Sequence, residues 1–175
     1  RRLMKLQNEC RLVTILGNHE EMLLEALDNE RALESWFIAG GFATLNSYRF
    51  GGSIDVIPAE HIDFIRTCRD YFETNTHIFT HAGYDSQLPL EDQPEYCLRW
   101  ALLEEPYPPP HNSGKKAVVG HTEQASGDPL DLGYLICIDT ACWRHGWLTA
   151  LEVNTGEIWQ ASRFGVPRRE FAGSV

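Results

Sequence analysis

The sequence predicts an α/β fold, and three observations carry that prediction. Short apolar runs rich in β-branched residues recur at 12–16 (LVTIL), 77–80 (HIFT), 117–119 (AVV) and 134–139 (YLICID). Segments with a rough helical period lie between the first two runs. Two more apolar runs, 147–153 and 158–161, flank Asn154-Thr155-Gly156-Glu157, a good hairpin turn.

Taken in order, residues 2–9 read as the tail of an amphipathic helix with Leu3 and Leu6 on one face. The run at 12–16 is bounded by Gly17 and suits a buried strand. From Glu20 to Ile38 the apolar residues Leu23, Leu27, Leu33 and Phe37 keep a helical period, closed by Gly40-Gly41. A second helix follows Ile57-Pro58, with Ile62, Ile65 and Cys68 on one side and Pro58 near its first position. Runs 77–80 and 117–119 are strands, and the three runs from 134 to 161 read as sheet. Residues 106–114 (PYPPPHNSG) form a rigid polar surface loop.

At 175 residues the chain is one domain's worth, long enough to bury its own core. The net charge of −10 argues against a nucleic-acid surface, which needs clustered Lys and Arg. It does not exclude phosphate chemistry, where substrate charge is met locally by metal ions and a few Arg. Five cysteines without a CxxC pair make a disulfide framework unexpected and point to a reducing, cytoplasmic setting. No apolar run approaches the roughly 18 residues of a membrane span.

The candidate chemistry lies where three apolar runs end. LVTIL leads into Gly17-Asn18-His19-Glu20, HIFT into His81-Ala82-Gly83, and AVV into Gly120-His121-Thr122. Each delivers a metal-competent side chain beside a glycine. In α/β sheets sites assemble outside the carboxyl ends of the strands, so parallel strands would bring Asn18, His81 and His121 to one edge. Imidazole nitrogen and amide oxygen suit Mn²⁺, Fe or Zn²⁺. His19 cannot easily share an ion with its neighbour Asn18, and it suits a general acid at the mouth of the site. A lone His after a strand is most often a plain surface or core residue. His61, His77, His111 and His145 are read that way.

These segments resemble a known family. Gly17 to Met22 (GNHEEM) is similar to the GNHE motif of the calcineurin-like metallophosphoesterases, in the form used by bacterial Ser/Thr protein phosphatases. Residues 80–83 resemble that family's HAG motif and 119–122 its GHT motif, in the same order. Residues 36–48 (WFIAGGFATLNSY), 57–61 (IPAEH), 98–100 (LRW) and 138–141 (IDTA, with Ala for the family's Gly) are similar to its WLxNGGxATLxSY, IPxEH, LLW and IDTG segments.

The resemblance implies a sandwich of two central mixed β-sheets flanked by helices, its first strand and helix missing. Residues 1–175 would be the C-terminal portion of a single metallophosphoesterase domain. It implies Asn18, His81 and His121 as ligands of one metal, His19 as the residue that protonates the leaving group, and Glu20 as a support. The cofactors expected are two divalent metal ions, Mn first, then Fe or Zn. The substrate expected is a phosphoprotein or small phosphoester, with phosphoserine and phosphothreonine foremost. The alternatives are a diadenosine tetraphosphate hydrolase and a non-catalytic binding module. The family's DxHG and GDxxDRG motifs do not occur before GNHE in this chain, so weak or no turnover is expected of it. Leu102 stands where the family places a phosphate-binding Arg, and Arg99 nearby is read as structural.

Overall fold

Asn29 explains why the first helical segment is two helices and not one. Its side-chain oxygen accepts the backbone N–H groups of Arg31 (3.0 Å) and Ala32 (3.3 Å), which starts a new helix in mid-segment. The computed structural model describes residues 1–49, 51 and 53–168. The chain divides into two compact units, Arg1–Phe72 and a second from Glu73 onward.

The first unit is helical. Helix α1 (Arg2–Leu6) is shorter than the expected 2–9. The run at 12–16 does not form the expected strand. Ile15 alone makes a parallel bridge, to Arg69, with Leu16 N–H to Arg69 O at 2.8 Å and Arg69 N–H to Thr14 O at 2.9 Å. Helices α2 (Asn18–Ala26) and α3 (Glu30–Trp36) follow.

The helical run continues past Phe37 and breaks at Gly40, as expected, and α4 (Phe42–Ser47) starts beyond that kink. The two glycines do different things. Gly40 has φ 113°, a conformation that only glycine adopts without strain. Gly41 is helical (φ −56°, ψ −32°), but a Cβ there would sit 2.4 Å from Cδ2 of Trp36. The indole is packed where a side chain would be. Pro58 immediately precedes helix α5 (Ala59–Arg66), near its first position as expected. Leu23, Ala26, Trp36, Leu45, Ile57 and Ile62 form the buried core of this unit.

The chain passes into the second unit within β1 (Tyr71–Glu73). There, β2 (His77–Thr80), β3 (Lys116–Val119), β5 (Leu135–Cys137) and β4 (Leu130–Asp131) lie side by side in that order. Strand β3 is parallel to both β2 and β5, with Ile78 opposite Ala117 and Val118 opposite Ile136, while β4 is antiparallel to β5. The central strands are short and apolar because they are covered: Ile78, Ala117, Val119, Leu135 and Cys137 are all buried. A short helix, α6 (Glu95–Arg99), lies between β2 and β3 in sequence.

A separate antiparallel pair, β6 (Trp147–Leu151) and β7 (Ile158–Ser162), turns through Asn154-Thr155-Gly156-Glu157, with Gly156 at φ 77°. The fold is therefore the expected mixed α/β class, with one mixed sheet and one two-stranded antiparallel sheet. Among the described residues no helix is long and apolar enough to cross a membrane.

Candidate metal centre

Parallel pairing of β2 and β3 puts their carboxyl ends at one edge of the sheet. His81 follows directly on β2, and His121 stands two residues beyond β3. The chain segments stay joined past the strands, since Gly120 N–H donates to His81 O at 2.8 Å. A Cβ at Gly120 would make a tight contact, 3.3 Å, with that same carbonyl. The two imidazoles end 5.1 Å apart between ring centres, inclined at 57°. An ion bound at roughly 2.1 Å to a ring nitrogen lies roughly 3.2 Å from the ring centre, so rings at this separation can share one ion.

Both loops are tied down from outside. Ala82 and Gly83 donate their N–H groups to Leu98 O (2.8 Å) and Cys97 O (3.0 Å), the last turn of α6. Thr122 Oγ1 accepts the N–H of Leu103 at 2.8 Å. His121 itself has φ 62°, left-handed backbone that few non-glycine residues adopt, though His is among the more tolerant. Beneath the loop, the Cys137 thiol lies 3.4 Å from Thr122 O and 3.6 Å from Gly120 O. Burial pushes the pKa of this thiol up, which keeps it protonated and able to donate to those carbonyls.

Asp139 stands at the same edge, two residues beyond β5. Its carbonyl accepts Gln124 N–H at 2.8 Å, and its Oδ1 accepts Ala141 N–H at 3.2 Å. Ala141 has φ 57°, which accounts for Gly being the residue of the IDTG segment that this stretch resembles. Asp139 and Cys137 are neighbours of the two histidines that sequence reading did not single out. The signals for them were their position at the end of the YLICID run and, for Asp139, the IDTA segment.

The remaining candidates lie in the first unit. Asn18 is not at a strand end: it is the first residue of α2, and it is buried. His19 is exposed on the same turn. The Glu20 carboxylate accepts the Gly17 N–H at 3.2 Å, at a helix start where negative charge is favoured. His19 and Glu20 border a cavity of about 120 Å³ lined also by Leu23, Trp36, Thr44 and Tyr48, so the GNHE and WFIAGGFATLNSY segments share one place in this unit.

His61 and His111 are structural, as read. His61 Nδ1 pairs with the Tyr48 hydroxyl at 2.8 Å, and His111 bonds Ser113 Oγ (2.8 Å) and Leu88 O (2.9 Å). Arg99 is buried and pairs with Glu95 at 3.5 Å, while Leu102 is exposed. Among the described residues no set of three or more His, Cys, Asp or Glu side chains is disposed to hold an ion, so within the second unit the two imidazoles stand as a pair.

No family model matches the chain, and no curated protein matches it by sequence. Among solved structures it is similar to a crystal structure described as a "putative diadenosine tetraphosphatase", at a TM-score of 0.59 and 20% identity, covering 98% of this chain and 73% of that one. At that identity the likeness is one of fold.

Proposed function

We propose that the protein is a metal-dependent phosphoester hydrolase whose domain spans both units. The observation that carries the reading is the His81–His121 pair at the carboxyl edge of two adjacent parallel strands. Imidazoles so placed bind a divalent ion, Mn²⁺, Fe or Zn²⁺, and the bound metal supplies Lewis acidity toward phosphate oxygens and a hydroxide nucleophile. The motif resemblance assigns Asn18 as a further ligand and His19 as the proton donor to the departing oxygen. Exposure keeps the His19 imidazole accessible to a substrate, and the Glu20 cap holds the helix turn that carries it.

The form of the GNHE and WFIAGGFATLNSY segments favours phosphoserine and phosphothreonine of proteins as substrate. The solved structure of like fold is described as a diadenosine tetraphosphatase, and this favours a dinucleoside polyphosphate as the second reading. Incubating the complete gene product with Mn²⁺ and either a phosphoserine peptide or diadenosine tetraphosphate separates the two. Phosphate release from the peptide, abolished by His81→Ala, supports the first reading. Nucleotide release with the peptide untouched assigns the second. Bound metal with neither product would leave a binding module and end the hydrolase proposal.

A further inference from the structure

A second concentration of chemistry lies on two loops of the sheet-bearing unit. Arg144, His145 and Gly146, just before β6, and Ser162, Arg163 and Phe164, at the end of β7, line a cavity of about 350 Å³. Two guanidinium groups and an imidazole gather here on a chain of net charge −10. Phe164 is 82% exposed, with the Arg163 guanidinium 5.2 Å from its ring centre. Arg144 lies 4.4 Å over the Trp143 ring and 3.4 Å from the Glu123 carboxylate, which also accepts the Trp143 indole N–H. Arg144 is thus held in place. Among the described residues no carboxylate pairs with Arg163.

The loop carrying Arg163 and Phe164 is ordered by its own bonds. Ser162 N–H donates to Val166 O and Gly165 N–H to Ser162 O, both at 2.8 Å, and the Ser162 hydroxyl oxygen accepts the N–H groups of Phe164 (3.3 Å) and Val166 (3.2 Å).

We propose that this cavity binds a nucleoside phosphate, its base laid on the Phe164 ring and its phosphate held between Arg163 and Arg144. Arginine presents a planar fork of donors that matches phosphate oxygens, and an exposed aromatic face stacks any base. A bare phosphate would leave the Phe164 ring in water, and an apolar ligand would leave the Arg163 cation unmatched. The volume lies at the lower end of the range for small-molecule pockets, roughly 300–1,000 Å³. The proposal is independent of the hydrolysis proposed above, because it concerns binding at a place outside the histidine pair.

Calorimetric titration of the chain with AMP, in EDTA so that no metal-bound phosphate contributes, tests it. Saturable binding is expected, weakened about tenfold in Arg163→Ala and in Phe164→Ala and less in Arg163→Lys, which keeps the charge but loses the fork. Inorganic phosphate and adenosine should each bind about tenfold or more weakly than AMP. Both substituted residues are exposed, so circular dichroism melts should show the variants folded. Absence of saturable AMP binding, affinity unchanged in either alanine variant, or phosphate binding as tightly as AMP overturns the proposal.

Discussion

Substituting Gly41 by alanine sets two effects of known size against each other. Gly41 has helical dihedrals, so propensity alone predicts that Ala stabilises the chain by about 1 kcal/mol. Packing predicts the reverse. The new methyl carbon would stand 2.4, 2.6 and 2.7 Å from Cδ2, Cε3 and Cε2 of Trp36, where carbon atoms normally keep about 3.5–4.0 Å. The ring would have to retreat by about 1 Å, and it is 2% exposed among Leu23, Leu45 and Ile62. Overpacking of this kind costs about 3 kcal/mol, at the upper end of the usual range because the indole has nowhere to go.

The net expectation is a loss of about 2 kcal/mol. Urea unfolding followed by far-ultraviolet circular dichroism measures it, read as a midpoint change at constant slope. Trp36→Leu isolates the cause. In that background the methyl finds space, so Gly41→Ala should become stabilising by up to about 1 kcal/mol, a coupling of about 3 kcal/mol across the cycle. A Gly41→Ala variant more stable than the parent chain would refute the packing argument.

Three further outcomes are expected. Gly146→Ala should lose about 3 kcal/mol in the same assay, since its Cβ would stand 1.8 Å from Thr140 O and the Thr140–Trp147 backbone pairing would have to part. Hydrogen bonding from the Thr155 side chain first, and then from the N–H groups of Thr155 (2.5 Å) and Asn154 (3.2 Å), lowers the pKa of the Glu152 carboxylate from 4.5 to about 2. Its contribution to stability is therefore present above pH 4.5 and is lost as pH falls from there toward 2. An NMR titration placing Glu152 near 4.5, or a Glu152→Gln variant with the same acid profile, contradicts this. In the complete gene product, His81→Ala should lose most Mn²⁺ or Zn²⁺ binding in equilibrium dialysis, whereas His19→Asn should keep it and lower turnover of a phosphoserine peptide by about 10²–10⁴-fold. Loss of metal from the His19 variant would make it a ligand and not an acid.

The parts legible in the sequence were those whose signals are local. HIFT and AVV are β-branched, buried strands and were read as such. The 154–157 turn declared itself through Asn and Gly. The run at 12–16 has the same composition as those strands, yet only Ile15 pairs, because a strand exists through its partner and Arg69 is all the partner it has. The break between α2 and α3 was hidden by an apolar period that runs on through Leu27 and Leu33. The side-chain cap at Asn29 was the local clue. The nearness of His81 and His121, forty residues apart, followed from guessing parallel strands, and the parallel register of β2 and β3 supplies it. Asn18 was expected at a strand end and opens a helix, because the run before it never becomes a strand. The Arg144–Arg163 cavity had no sequence signal at all, since it arises where antiparallel pairing brings the loop before β6 beside the loop after β7.

For the ion proposed at the histidine pair, the left-handed backbone at His121 would have a consequence for affinity. Holding a non-glycine residue at φ 62° draws about 1–2 kcal/mol from the stability of the fold. In return the imidazole stands opposite His81 before any ion arrives. The order that a floppy ligand would lose at the moment of binding, about 0.5–1.5 kcal/mol for a side chain, is here lost once, during folding. A relaxed backbone at residue 121 would give a sturdier chain and a slacker grip on the ion. On that proposal, stability and metal affinity are set against each other at a single dihedral angle.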